Sequence, residues 1–97
     1  MDYHFEWDPR KAKQNERKHA VTFQRAATVF ADPNQISLFD EAHSEIEERW
    51  VTIGIDVNGN ILVVIHTHTE VDVDEVHLRI ISARKATIQE MRNYEQP

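Results

Sequence analysis

The sequence predicts an α+β fold, with two N-terminal helices packed on an antiparallel sheet and a further helix at the C-terminus. Three observations carry this. An alternating aromatic segment is followed by two segments with helix caps; Asn58-Gly59 stands between two apolar runs; and a fourth apolar run leads into a last helical segment.

Tyr3, Phe5 and Trp7 alternate with His4 and Glu6, the period of a half-buried strand. Asp8 then offers a side-chain cap and Pro9 suits the first helical position, so a mostly polar, weakly amphipathic helix is expected to about His19. Thr22 caps a second helix, with Val21 and Ala26 placed as a hydrophobic staple. Its buried stripe is Phe23, Ala26, Ala27 and Phe30, and Asp32-Pro33 stops it. "QISLF" reads as a short strand before the acidic loop "DEAHSEIEER". "WVTIGIDV" and "NILVVIHTHTE" flank Asn58-Gly59, which predicts a hairpin closed by a type I′ turn. A fourth strand is expected over Val76 to Ser82, with Ser82 capping a helix to about Tyr94. Ala83, Ala86, Ile88, Met91 and Tyr94 are available to pack that helix.

Ninety-seven residues, 40% of them hydrophobic, suit one domain over residues 1–97. The absence of cysteine excludes disulfides, thiolate zinc sites and a thiol nucleophile. "ILVVI" is too short to cross a bilayer and "MDYHFEWDP" lacks signal-peptide features, so no membrane association and a cytoplasmic location are expected. A net charge of -6 argues against general affinity for nucleic acid. The charge is unevenly spread, however. Arg10 to Arg25 is basic, Asp40 to Glu48 and Glu70 to Glu75 are acidic, and Arg79, Arg84, Lys85 and Arg92 restore positive charge.

Strand alternation places His77, Arg79 and Ile81 opposite Leu78 and Ile80, and groups His66 and His68 with Leu62 and Val64. If the helices cover a face made of Ile53, Val63 and Ile80, the other face brings His66, His68, His77 and Arg79 together. A metal could use His66, His68 and either a carboxylate or His77, but "TEVDVDEV" is read instead as a solvated hairpin tip without metal. Arg79 has two readings. It could bind phosphate with Arg84 and Lys85, helped by a helix N-terminus near Ser82, or form an internal ion pair with Glu6 or Glu48.

"FEWDPRKAKQNERKHAVTFQRAATVFADP", "HSEIEERWVTIG" and "RIISARKATIQEMRNYE" together resemble the BrnT family of type II toxins, in order and spacing, over nearly the whole chain. The resemblance implies a RelE-like fold, ribonuclease activity that blocks translation, and neutralisation by a cognate antitoxin. The family usually has Gly where this chain has Ala20, so a differently wound connection is expected there. Asn15 and His19 match the family and are read as a polar pair fixing the first helix to its neighbours.

RNA can be cut without metal or other cofactor when its 2′-hydroxyl attacks the adjacent phosphate. On that reading Arg79 and Arg84 hold the phosphate, His66 serves as acid or base, and Lys85, Arg92 and Lys18 contact RNA. Operator DNA would be met only through the toxin-antitoxin complex. The rivals are a non-catalytic binding module acting with its antitoxin on operator DNA, and a metal-dependent hydrolase using the histidines.

Overall fold

The structure is a computed structural model that describes residues 2–96. In chain order it has β1 (Asp2–Glu6), α1 (Pro9–His19), α2 (Phe23–Thr28), β2 (Ile36–Phe39), β3 (Trp50–Ile55), β4 (Ile61–His66), β5 (Thr69–Asp72), β6 (Glu75–Lys85) and α3 (Ile88–Glu95). Short 3-10 turns follow α2 and β2. Among the described residues no helix is long and apolar enough to cross a membrane.

The first two helix starts follow the expected chemistry. Asp8 accepts a hydrogen bond from the Arg10 N–H and Pro9 opens α1; Thr22 caps α2 by accepting from the Arg25 N–H. α1 ends on Ala20 in the left-handed region, at φ 57° and ψ 30°, with its N–H donating to Glu16 O. The expected change of winding therefore does not occur. Alanine takes up the left-handed cap itself, at a cost of roughly 1 kcal/mol.

The sheet runs β1-β6-β4-β3-β2, with β5 also paired to β6. It is mixed rather than purely antiparallel, because β1 runs parallel to β6 from Asp2↔Glu75 to Glu6↔Arg79. Strands this far apart in the chain are not held to the antiparallel sense that a hairpin imposes. The hairpin between β3 and β4 forms, but not as a type I′ turn. Gly59 has φ 84°, whereas Asn58 is not in the positive region. The Asp56 carboxylate accepts from the N–H groups of Asn58 and Asn60, and Asp56 N–H donates to Asn60 O. This is the three-residue loop with a left-handed glycine at its end.

β6 also runs past Ser82, which lies in the strand rather than capping a helix. β4 continues to pair with it as far as Leu62↔Lys85, so the backbone of Ser82 to Lys85 is taken up by the ladder. α3 instead starts after Thr87, in a capping box with Glu90.

One irregularity in β6 decides which side chains share a face. Pairing with β4 passes from Ile65↔Ser82 to His66↔Ile80, leaving Ile81 unmatched as a bulge. Alternation therefore changes phase. Val76, Leu78, Ile80 and, beyond the bulge, Ala83 are all buried, while Arg79, Ser82 and Arg84 turn to the second face. α1 and α2 cover the first face. Its core joins Val21, Phe23, Ala26, Val29 and Phe30 to Leu62, Val64, Leu78 and Ile80, each large apolar side chain contributing about 1.5–3 kcal/mol. The expected face of Ile53, Val63 and Ile80 is not formed. Val63 looks the other way, and His66 joins Leu62 and Val64 beneath the helices. Gly54 permits this close cover, since a Cβ there would lie 2.7 Å from Val29 Cγ1.

Candidate anion-binding cleft

The parallel pairing of β1 stops at Arg79, so the rest of that edge of β6 lacks a strand neighbour among the described residues. α1 lies along it. The Asn15 carboxamide accepts from Ala83 N–H at 3.0 Å and donates to Ala83 O at 2.8 Å and to Val21 O at 2.9 Å. Of the expected pair only Asn15 fixes α1 in this way; His19 makes no such bond among the described residues and lines the neighbouring cleft.

Between α1 and the second face of the sheet lies an open cleft of about 350 Å³, lined by Lys11, Lys18, His19, Arg49, Ile81 and Ser82. Arg79 stands on the same face, two residues before Ile81. Its guanidinium holds Glu47 from the loop before β3, rather than the expected Glu6 or Glu48. The Arg79 hydrogen bond holds the Glu47 carboxyl below its usual range, and the charges of Arg79, Arg49 and Lys11 act in the same direction. Three cationic side chains, Arg79, Arg49 and Lys11, thus act on one anion position, which Glu47 occupies, and Lys18 lines the adjoining cleft. The pair is well hydrated, with Arg79 39% and Glu47 36% exposed, so as an ion pair it contributes only about 0–1 kcal/mol.

Arg84 shares the face but has a different setting. It donates to both carboxylate oxygens of Glu90, at 2.7 and 2.9 Å. These bonds, reinforced by the Thr87 N–H, hold the Glu90 carboxyl at about 2 against the cost of burial. Glu90 is thereby fixed from two sides, as the partner of Arg84 and as half of a helix cap. Arg79 and Arg84 are five residues apart on an extended strand, about 15 Å, and each guanidinium has its own carboxylate. Lys18 enters the cleft; Lys85, at the end of β6, and Arg92, on α3, are exposed outside it.

His66 is not on the face of Arg79. The two backbones adjoin, with Thr67 N–H donating to Arg79 O, but the side chains diverge to opposite sides of the sheet. The imidazole is 2% exposed and meets the Phe30 ring edge-on at 4.8 Å. Burial lowers its pKa to about 4, opposed by the bond to Thr67 O. Since Thr67 O can only accept, Nδ1 carries the proton, and Nε2 accepts from the Thr52 hydroxyl at 2.6 Å. Thr52 in turn takes a hydrogen bond from Ser37 at 2.7 Å. Both ring nitrogens are engaged. His77 faces the opposite side from His66, so the expected histidine grouping also separates.

Nothing in the sequence assigns Lys11, Arg49, Glu47 or Glu90 to the phosphate site. Glu90 was readable, because Thr87-x-x-Glu90 is a capping box. The position of Glu47 depends on the path of a loop, for which spacing offers no rule.

The family model of the BrnT ribonuclease toxin of type II toxin-antitoxin systems matches residues 7–90 of this chain. No curated protein matches it in sequence. The 1.1 Å crystal structure of the Brucella abortus ribonuclease toxin BrnT is similar, with a TM-score of 0.63 and 21% identity, covering 90% of this chain and 99% of that one. At that identity the likeness establishes a shared fold.

Proposed function

The chain belongs to the BrnT family of ribonuclease toxins of type II toxin-antitoxin systems, and from that premise we propose that it is a metal-independent, RelE-like endoribonuclease that inhibits translation and is neutralised by its cognate antitoxin. The supporting observation is the group of Lys11, Arg49 and Arg79 about a single anion position, beside a cleft that Lys18 also lines. A backbone phosphate of RNA is the anion that this arrangement suits, since guanidinium groups bind phosphate through parallel hydrogen bonds.

In the proposed reaction the RNA phosphate takes the place of Glu47 on Arg79. The freed carboxylate, an acceptor beside the same group, removes the 2′-hydroxyl proton. The 2′-oxygen forms its bond to phosphorus, the bond to the 5′-oxygen breaks, and a 2′,3′-cyclic phosphate remains. Arg79, Arg49 and the two lysines stabilise the charge gathering on the phosphorane. His19, in the same cleft, is the imidazole available to protonate the leaving oxygen. His66, with no free nitrogen, supports the sheet instead, and Arg84 positions α3 through Glu90. Lys85 and Arg92 extend the basic surface along the RNA.

The test is cleavage of single-stranded RNA by the purified chain in the presence of chelator. Cyclic phosphate ends, with no cutting of a substrate deoxy at the 2′ position, are expected. Growth arrest on expression, relieved by the cognate antitoxin, is the cellular counterpart. A second reading draws on the carboxylates that occupy both arginines: a binding module without cleavage, acting with the antitoxin on operator DNA. Intact RNA together with DNA binding by the complex would favour that reading.

A further inference from the structure

A second group of side chains on the same face lies outside this mechanism. β1 and β6 pair in register at His4↔His77, so both imidazoles leave the sheet on the second face, and Glu75 follows two residues before His77. Each Nε2 lies 3.0 Å from Glu75 Oε1, and the ring centroids are 5.0 Å apart. All three donor atoms lie within 4.8 Å of one another.

We propose that His4, Glu75 and His77 form a binding site for a divalent transition cation of the zinc class. The donor chemistry fits: two imidazoles and a carboxylate are a recurring three-ligand set for zinc, which leaves a fourth position to water. The geometry fits as well. With bonds of about 2.0–2.1 Å, tetrahedral ligand atoms stand about 3.4 Å apart. The two histidine-to-carboxylate separations are already close to that, and only the imidazoles must draw together, by no more than about 1.4 Å. Both side chains are about half exposed, so little packing opposes that shift, while their backbones are held by neighbouring strands. Asp2, Asp72 and Asp74 nearby add negative potential that attracts a dication. The metal set weighed from the sequence was His66, His68 and either a carboxylate or His77; the fold separates His77 from His66 and pairs it instead with His4, 73 positions away on a different strand.

The site is independent of RNA cleavage and is tested by binding. Zinc chloride is titrated calorimetrically into the untagged, metal-free chain. One equivalent is expected to bind, with affinity falling at least tenfold in His4→Ala, His77→Ala and Glu75→Gln and unchanged in His43→Ala, which removes the surface His43–Asp40 pair. Circular dichroism checks that these surface variants remain folded. Cobalt substitution in the parent chain gives a readout that needs no variant: the intense visible absorption of a four- or five-coordinate ion is expected, against the weak bands of hexaaqua cobalt. Equal zinc affinity in the parent and the His4→Ala, His77→Ala double variant, or only the hexaaqua spectrum, would overturn the proposal. Glu75 would then merely bridge two imidazoles.

Discussion

On the helix-covered face of the sheet β6 places Val76, Leu78, Ile80 and Ala83, none of them more than 1% exposed, and His66 of β4 packs among them. On the opposite face the same strand carries Arg79 and Arg84, with side chains 39% and 40% exposed. A titratable group on the first face has lost its water and filled both hydrogen-bonding positions, so its chemistry is spent on holding the sheet. Groups on the second face keep water and partners that another anion can replace. Within that face the two arginines differ again. Glu90 is anchored by a helix cap and a bidentate pair, whereas Glu47 hangs from a loop. Solvent access and the anchoring of the partner, rather than residue type, separate a structural charge from an available one.

The sharpest break in this comparison is expected from Arg79→Ala. If Arg79 stabilises the phosphorane, RNA cleavage should fall on the order of 10²–10³-fold. The urea midpoint should move little, since a hydrated pair contributes about 0–1 kcal/mol. A large fall in midpoint would instead place Arg79 with the structural charges.

His66 supplies the converse case, stability without chemistry. Its folded pKa of about 4 lies below the ordinary 6.5, so the unfolded chain binds the proton more readily. The stabilisation is complete above about pH 6.5 and is lost as pH falls toward 4, by about 2–3 kcal/mol. Urea unfolding from pH 7 to 4 should show this slope in the parent chain and not in His66→Gln. An equal slope in both would mean that the imidazole is not dry.

Glu90→Gln probes the intermediate case and should cost about 1–2 kcal/mol at pH 7, the value of a cap and a partly screened pair together. With the folded carboxyl at about 2 and the ordinary value at 4.5, the parent's advantage is full above pH 4.5 and fades as pH falls toward 2. Thermal unfolding of parent and variant across that range measures the fading. Smallest is Ala20→Gly, which touches neither face. It relieves the left-handed cap at the end of α1 and should raise stability by about 0.5 kcal/mol, with activity unchanged. A loss of stability there would mean that the cap carries no strain.

Much of the fold was legible because it rests on local chemistry. Asp8-Pro9, Thr22 and Asn58-Gly59 each act within a turn of the chain; the two caps and the hairpin formed at those positions, whereas the turn type and the Ser82 cap, which depend on how far the ladders run, did not. The site was less legible because it depends on counting along a strand. Counting by two from Leu78 puts Arg79 and Arg84 on opposite faces; the unmatched Ile81 reverses that, and no feature of "RIISAR" announces it. The same kind of count set Val63 beside Ile80 and His66 beside Arg79, although the register between β4 and β6 separates both pairs. Lys18 and Arg79 could be named as candidates from charge and position. Their neighbours Lys11, Arg49 and Glu47 come together only when α1 lies against the free edge of β6.

That edge also has an observable of its own. The Ala83 amide has no neighbouring strand to protect it, and an amide in such a place ordinarily exchanges its hydrogen with solvent quickly. Here its partner is a side chain of α1, so its exchange requires the helix to leave the sheet or the whole chain to unfold. Ala83 should therefore behave as an interior amide in deuterium exchange, and its rate should report one event, the detachment of the wall that carries Lys11, Lys18 and His19. One proton at the back of the cleft becomes a clock for how often the front comes apart.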